Sequence, residues 1–346
     1  MHWLDVSQKC WPHRLGWKAM RIQDREGRKA LCLLGRRSLR RHAGLIGSNV
    51  IALNQSLDPA WDQVFIEYNG FSGTSGASFA DLLNDLLNQL SRDSAWDELR
   101  LAGLKKSDST LACRIAEEYG LKARVFDQRP SFARNLLADR SQGTVLGGLS
   151  ANTRSQIRRS RRLMESTHGP VQLDCARSAQ EALTWFEAIE PWHRQRWGAQ
   201  PGRIGTSGFQ NPAFIHFHQT LIRSAFADRH IRIWRLSAGA RVVAWLYNFR
   251  WDSTEAFYLG AWDPNLDPAM RAGLVAHQMV MDQCLEEGIE IYDFMAGDSQ
   301  YKRQLANQES ELIWLVLQRP RLKFCVEDRV RSFRDRWRTS GSAPSV

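Results

Sequence analysis

The sequence holds no run of about 18 or more apolar residues, so it offers no transmembrane helix. Its opening, MHWLDVSQKCWPHR, lacks the apolar stretch of a secretory signal. The six cysteines (Cys10, Cys32, Cys113, Cys175, Cys284 and Cys325) are scattered and form no CxxC pair. They read as reduced packing residues of a cytoplasmic protein, not as a zinc or disulfide framework. The glycine-rich YNGFSGTSGAS (68–78) has neither the Lys-Ser/Thr of a P-loop nor the glycine spacing of a dinucleotide fingerprint. A plain strand-to-helix turn is the better reading, although a phosphate-cradling loop is conceivable there. His216 and His218 fall on different faces of their helix, which argues against a shared metal, and no metal site is expected.

What is present is a globular chain. Its 346 residues suit two domains of about 150 each. An apolar content of 43%, with 14 Trp and 15 Phe, is ample for packed cores and excludes a disordered chain. The net charge of +10 fits an anionic partner such as coenzyme A, a nucleotide, tRNA or an acidic glycan. A well-solvated basic surface explains the same number, so charge alone decides little.

Residues 16–37 read as a hairpin, and Trp61–Tyr68, Trp96–Leu101 and the LKARVFD segment as further strands. Helices are expected at 77–91, where Leu82, Leu83, Leu86, Leu87 and Leu90 share a face, and at 108–119. This alternation suggests an α/β sandwich. A helix over 149–166 carries Arg154, Arg158, Arg159, Arg161 and Arg162 against a stripe of Ile157 and Met164. It is either a phosphate-binding patch or a solvated face. Gly169-Pro170 then breaks the chain.

The next helix, 178–197, ends in EPWHRQRWG. Glu190 and His193 lie one turn apart there, so the carboxylate could orient the imidazole as a general base; a structural histidine in an aromatic cluster is the alternative. The loop GRIGTSGFQNP (202–212) has the length and composition of a lid, and a helix over 212–227 follows. Beyond Pro320, Val326, Val330, Phe333 and Trp337 form one apolar face among arginines. That face packs back onto the first domain or attaches to an anionic surface.

Between His230 and Leu317 the pattern is hairpin, helix, strand, short helix, strand. The order β-β-α-β-α-β resembles the second half of a Gcn5-related N-acetyltransferase (GNAT) fold. The string YDFMAGDSQYKRQLA is similar to the DF-x-x-G-x-x-x-YK signature of the CelD/BcsL-type acetyltransferases, which are associated with bacterial cellulose synthesis. The pieces LSANTRSQIRRSRRLM and WHRQRWG occur upstream in that family's order. The resemblance covers residues 145–318 well and the N-terminal part loosely.

That resemblance implies an α/β fold (an α+β sandwich) of tandem GNAT-like domains, as in FemABX-type proteins. The expected parts are a degenerate domain over 1–148, a basic junction over 149–170, an acyltransferase domain over 171–318 and a basic tail over 319–346. It implies acetyl-CoA or another acyl-CoA as co-substrate, with pantetheine held in a splay between strands; sequence does not say which pair. The implied cofactor-binding residues are Leu246 or Tyr247 as an oxyanion donor, Arg271, Ala272, Gly273 and Leu274 at a helix start, and Lys302. Tyr301 is the implied general acid beside the sulfur, with Asp293, Glu190 and His193 as further catalytic candidates. The alternative readings are tight packing for Gly273, a buried salt bridge for Asp293 with Lys302, and a positive φ for Gly297. The acceptor implied is a small molecule or a glycan, bearing an amino or hydroxyl group. The rivals are a FemABX-like transferase using aminoacyl-tRNA and a non-catalytic GNAT-fold protein binding nucleic acid or an acidic partner.

Overall fold

The computed structural model describes residues 2–41, 46–62, 67–73, 76–198 and 207–327. The chain forms two compact units. The larger takes Met1–Trp11, Pro59–Glu67 and Arg129–Leu312; the smaller takes Pro12–Asp58, Tyr68–Gln128 and Ile313–Val346.

Chain order opens with α1 (His2–Cys10), which belongs to the larger unit. The smaller unit then builds β1 (Lys18–Gln23), β2 (Lys29–Arg41), β3 (Ile46–Leu53), the two-residue β4 (Ser72–Gly73), α2 (Phe79–Ser91), β5 (Glu98–Lys105) and α3 (Lys106–Glu118). Strands β1, β2 and β3 pair antiparallel, and β5 joins β3 in parallel. The leucine face of α2 packs on Ile22, Leu34, Ile51 and Leu101, as the helical spacing foretold. Ser78 caps α2, accepting the Asp81 N–H at 3.3 Å. In the glycine-rich segment Ser72–Gly73 form β4 against β2, and Gly73 lies so close to the Lys29–Ala30 backbone that a Cβ would clash; residues 74 and 75 lie outside the described set. At the C-terminal end, Lys323 bonds to Asp97 (2.7 Å) and Phe324 sits under Arg41. Val330, Phe333 and Trp337 of the expected tail helix lie outside the described residues.

Strand β6 (Lys122–Asn135) leads into the larger unit. There follow α4 (Ala151–His168), β7 (Val171–Cys175), α5 (Ala179–Trp197), α6 (Pro212–Ala225), β8 (Ile231–Ala238), β9 (Arg241–Trp251) and β10 (Thr254–Trp262). Then come α7 (Ala272–Glu286), β11 (Ile291–Ala296), α8 (Gln300–Leu305) and β12 (Gln308–Gln318). The strands run in the order β6-β11-β10-β9-β8-β7, and only β10–β11 is parallel in this set.

Two cores cover this sheet. One holds α4 and α7 over Leu246, Phe257, Tyr292 and Phe294; the other holds α5 and α6 over Trp245, Tyr247, Leu259 and Ala261. Side chains on a strand alternate faces, so Trp245 and Leu246 must go to opposite cores. Buried Arg134 ties the α7 side together. It grips Asp139 through two bonds of 2.7 Å and donates to the Leu305 carbonyl at the end of α8 (2.9 Å).

Two expectations need correction here. Trp61 and Asp62 lie in a turn, not a strand, and Trp61 packs against the α5–α6 core; residues 63–66 lie outside the described set. The helix expected from 269 begins at Ala272, because Pro268–Met270 forms a 3-10 turn and Arg271 takes a left-handed conformation (φ 39°).

Candidate active site

The parallel pair β10–β11 stays in register only for Thr254↔Ile291, Glu255↔Tyr292 and Ala256↔Asp293. Beyond that point β10 runs on to Trp262 and β11 to Ala296 without pairing to each other. The β9 side of β10 shifts register between Phe257 and Leu259, leaving Tyr258 as the extra residue of a bulge. One extra residue inverts the alternation, so Phe257 faces the α7 core and Leu259 the α5–α6 core. A cleft of about 170 Å³ opens in the splay. Phe257, Tyr258 and Leu259 line it from β10, Phe294, Met295 and Ala296 from β11, and Glu67, His193, Phe214 and Lys302 from the surrounding elements.

This geometry moves the expected oxyanion donors. Leu246 pairs with Trp234 on one side and Gly260 on the other, and Tyr247 with Ile233 and Leu259. Both residues are fully buried in an interior strand whose two edges are occupied. Their N–H groups serve the sheet, so neither meets the cleft as a donor.

On the α7 side, the first turn of α7 lies against Trp262 at the C-terminal end of β10. Among the described residues no side chain caps it. Gly273 lies under Trp262: a Cβ there would stand 3.3 Å from the indole. Arg196 covers the same indole, 5.5 Å from its centroid. One turn on, His277 is fully buried. Its Nδ1 lies 3.0 Å from the Tyr292 hydroxyl, while Nε2 has no hydrogen-bond partner among the described residues. Burial pulls its pKa down to about 3, so the ring is neutral. Tyr301 stacks on it, with centroids 5.2 Å apart and planes 12° apart. Burial lifts the Tyr301 phenol to about 12. Tyr301 stands one ring behind Phe294 of the cleft wall, half-buried.

The DF-x-x-G-x-x-x-YK residues run from the end of β11 through the bend at Gly297–Ser299 into α8. Asp293 Oδ1 accepts the Met295 N–H at 2.6 Å, Met295 itself is left-handed (φ 61°), and Gly297 (φ 107°) has a conformation that side chains disfavour. Lys302 Nζ donates to the carbonyls of Met295 (3.1 Å) and Ala296 (2.7 Å). The expected Asp293–Lys302 salt bridge therefore gives way to a backbone clasp, with Asp293 and Glu67 acting on Lys302 through charge. Burial outweighs them and brings the ammonium down to about 8.

On the other face the Glu190–His193 pair is not formed. Glu190 bonds to Arg194 at 2.9 Å, one turn along α5, and His193 Nδ1 turns to the Ser207 hydroxyl at 2.8 Å. The i,i+4 arginine wins the carboxylate because it brings a full charge. Burial, helped by Arg196, lowers His193 to about 4. His193 still lines the cleft. Residues 202–206 of the expected lid lie outside the described set.

Two cleft features were not legible in the sequence. Glu67, far upstream, accepts the Ala296 N–H at 2.8 Å, and burial raises its carboxyl above the usual range. Fully buried His218 bridges the hydroxyls of Tyr247 (3.2 Å) and Tyr258 (3.1 Å) and is held neutral, near 3, by burial. Neither lies near a motif, and no spacing rule points to them.

Residues 151–303 match the family model described as "Acetyltransferase (GNAT) domain". No curated protein is significantly similar to the chain in sequence. Among solved structures, FemX superposes with a TM-score of 0.58 at 11% identity, covering 92% of this chain and 90% of that one. The C-terminal domain of a putative lysylphosphatidylglycerol synthetase from Agrobacterium fabrum gives 0.56 at 9% identity, with 95% of each chain covered. L-PGS from Bacillus licheniformis gives 0.50 at 11%, covering 88% and 85%. At these identities the likeness concerns the fold.

Proposed function

We propose that this chain, whose residues 151–303 match a GNAT domain, transfers an acyl group from acyl-CoA to an amino or hydroxyl group. The observation that carries the reading is the splay of β10 from β11 after Ala256↔Asp293. It leaves two strand edges unpaired with each other in a cleft beside the start of α7. An extended pantetheine arm pairs with such an edge by β-augmentation. The first turn of α7 then offers its N–H groups and dipole to the pyrophosphate, with Arg271 at the cap. The backbone at the Phe257–Leu259 bulge is the candidate oxyanion donor, replacing Leu246 and Tyr247. Tyr301 protonates the departing thiolate.

The resemblance to CelD/BcsL-type proteins supports an envelope polysaccharide or its precursor as the acceptor. Acyl-CoA chemistry and six free cysteines suit the cytoplasm. One observation favours a second donor, aminoacyl-tRNA, as in the FemABX-type resemblance. Helix α4 exposes Arg158, Arg159, Arg161 and Arg162, and its Ser160 hydroxyl donates to the Ala269 carbonyl (3.2 Å) just ahead of α7. RNA binding that weakens steeply with salt would support that donor, or a non-catalytic binding role.

The test of the first reading is calorimetric titration of acetyl-CoA and longer acyl-CoAs into the wild type and Gly273→Glu. The new carboxylate would crowd Trp262 and place negative charge where the pyrophosphate must sit. Affinity should fall at least tenfold (about 1.4 kcal/mol) with the fold intact. Unchanged affinity would remove α7 from the donor site.

A further inference from the structure

We propose that Arg196 and Trp197 form a subsite for an acidic sugar, with the sugar's carboxylate on the guanidinium and its ring on the indole. This rests on the acyl-CoA reading above and deepens it, because it names the class of acceptor. The two residues close α5, and Arg196 lies one turn beyond His193, which lines the cleft. Arg196 Cζ stands 5.2 Å from the centre of the Trp197 ring and 5.5 Å from that of Trp262, the last residue of β10. Its charge acts on His193, and the Tyr301 phenol on α8 acts on it in turn. The guanidinium thus stands where α5, β10 and α8 meet, near the group assigned as the acid.

Among the described residues Arg196 has no carboxylate or carbonyl partner. Arg232, Arg235 and Arg303 rest on aromatic rings in the same unit, and each also holds an acid: Glu287, Asp174 and Asp298. Burial lowers the Arg196 pKa with only the Tyr301 phenol opposing it, as expected of a cation that lacks a counter-ion. A guanidinium held by ring faces keeps its N–H donors for a planar carboxylate, which they fit through two parallel bonds. Trp197 is 46% exposed, whereas Leu183, Trp185, Phe186 and Ile189 of the same helix are buried. An open indole beside a free cation suits a sugar, whose C–H groups pack on the ring while its acid reaches the charge. The net charge of +10 favours the arrival of such an anion. The donor's pyrophosphate is assigned to the first turn of α7 with Arg271, which leaves Arg196 to the acceptor.

The experiment titrates D-glucuronate, D-glucose, glucose 6-phosphate and acetate into the full chain, with and without acetyl-CoA, and reads binding by saturation-transfer NMR. Glucuronate should bind about tenfold tighter than each of the other three. Arg196→Gln should erase its advantage over glucose, and Arg196→Lys should keep part of it. Trp197→Ala should weaken glucuronate and glucose alike. Calorimetric acetyl-CoA affinity and the melting temperature of Arg196→Gln should stay at wild-type values. No glucuronate binding, equal affinity for glucose, or a preference that survives Arg196→Gln would overturn the assignment. So would acetate or glucose 6-phosphate binding as tightly as glucuronate. A loss of about tenfold in acetyl-CoA affinity in Arg196→Gln would overturn it too, by giving the guanidinium to the donor's phosphates. Failure of wild type to bind acetyl-CoA, with glucuronate still held through Arg196, would instead defeat the donor reading on which it rests.

Discussion

Replacing Tyr301 by Phe removes one hydroxyl and leaves the ring, which makes it the sharpest probe of the chemistry. The ring is what the structure holds: it stacks on His277 at 5.2 Å and meets Phe294 at 6.2 Å. Stability should change by less than about 1 kcal/mol, since no large apolar volume is lost. The rate is another matter. A thiol has an ordinary pKa near 8.5 and burial places Tyr301 near 12, so complete transfer to a free thiolate runs uphill by about 5 kcal/mol. The phenol therefore works while the C–S bond is breaking, when the sulfur is still gaining charge. A positioned acid of this kind contributes about 10²-fold, or about 2.7 kcal/mol of barrier. Tyr301→Phe should lose that factor in single-turnover thiol release while calorimetric acetyl-CoA affinity stays within twofold. Because the phenol stays protonated until pH approaches 12, the wild-type to variant ratio should be constant from pH 7 to 10. Equal rates for the two proteins would refute the acid role and leave Tyr301 as packing.

Acid should destabilise the fold in a defined window. His218 and His277 are depressed to about 3 and His193 to about 4, below the unfolded value near 6.5. The stabilisation they confer is complete above pH 6.5 and is lost as pH falls toward 4, by up to about 1.4 kcal/mol per pH unit for each ring. Urea midpoints that stay flat from pH 7 to 5 would contradict this burial. Arg134→Met strands Asp139 in the core and should cost about 3–5 kcal/mol in urea unfolding, most of it recovered by adding Asp139→Leu. A loss below 1 kcal/mol would mean the pair is solvated.

The element order from β8 to β12 was legible because each element carries a local signal. The β-branched and aromatic run of Val242–Phe249 and Gly288 after α7 report chain-local physics, and β9 and the end of α7 stand where those signals put them. Other signals were ambiguous at their ends. Nothing local told that Arg271 would adopt a left-handed conformation and delay α7, since an arginine rarely does so without tertiary support. The missed contacts have one cause. Glu190 met Arg194 instead of His193, and Lys302 met two carbonyls instead of Asp293, because several partners lay within reach and packing chose among them.

By itself, then, the sequence determined the α/β class and the motif from Asp293 to Lys302. Those rest on dihedral preference, periodicity and capping, which act within a few residues of chain. Only the tertiary structure decided which strands part. β9 is paired on both edges, whereas β10 leaves β11 after three residue pairs, and that excludes Leu246 and Tyr247 while opening the cleft. It also decided that Glu67 faces Ala296 across 229 residues of chain. Strand partners and long-range contacts are set by the competition of all edges and faces for burial, and no local pattern encodes its outcome.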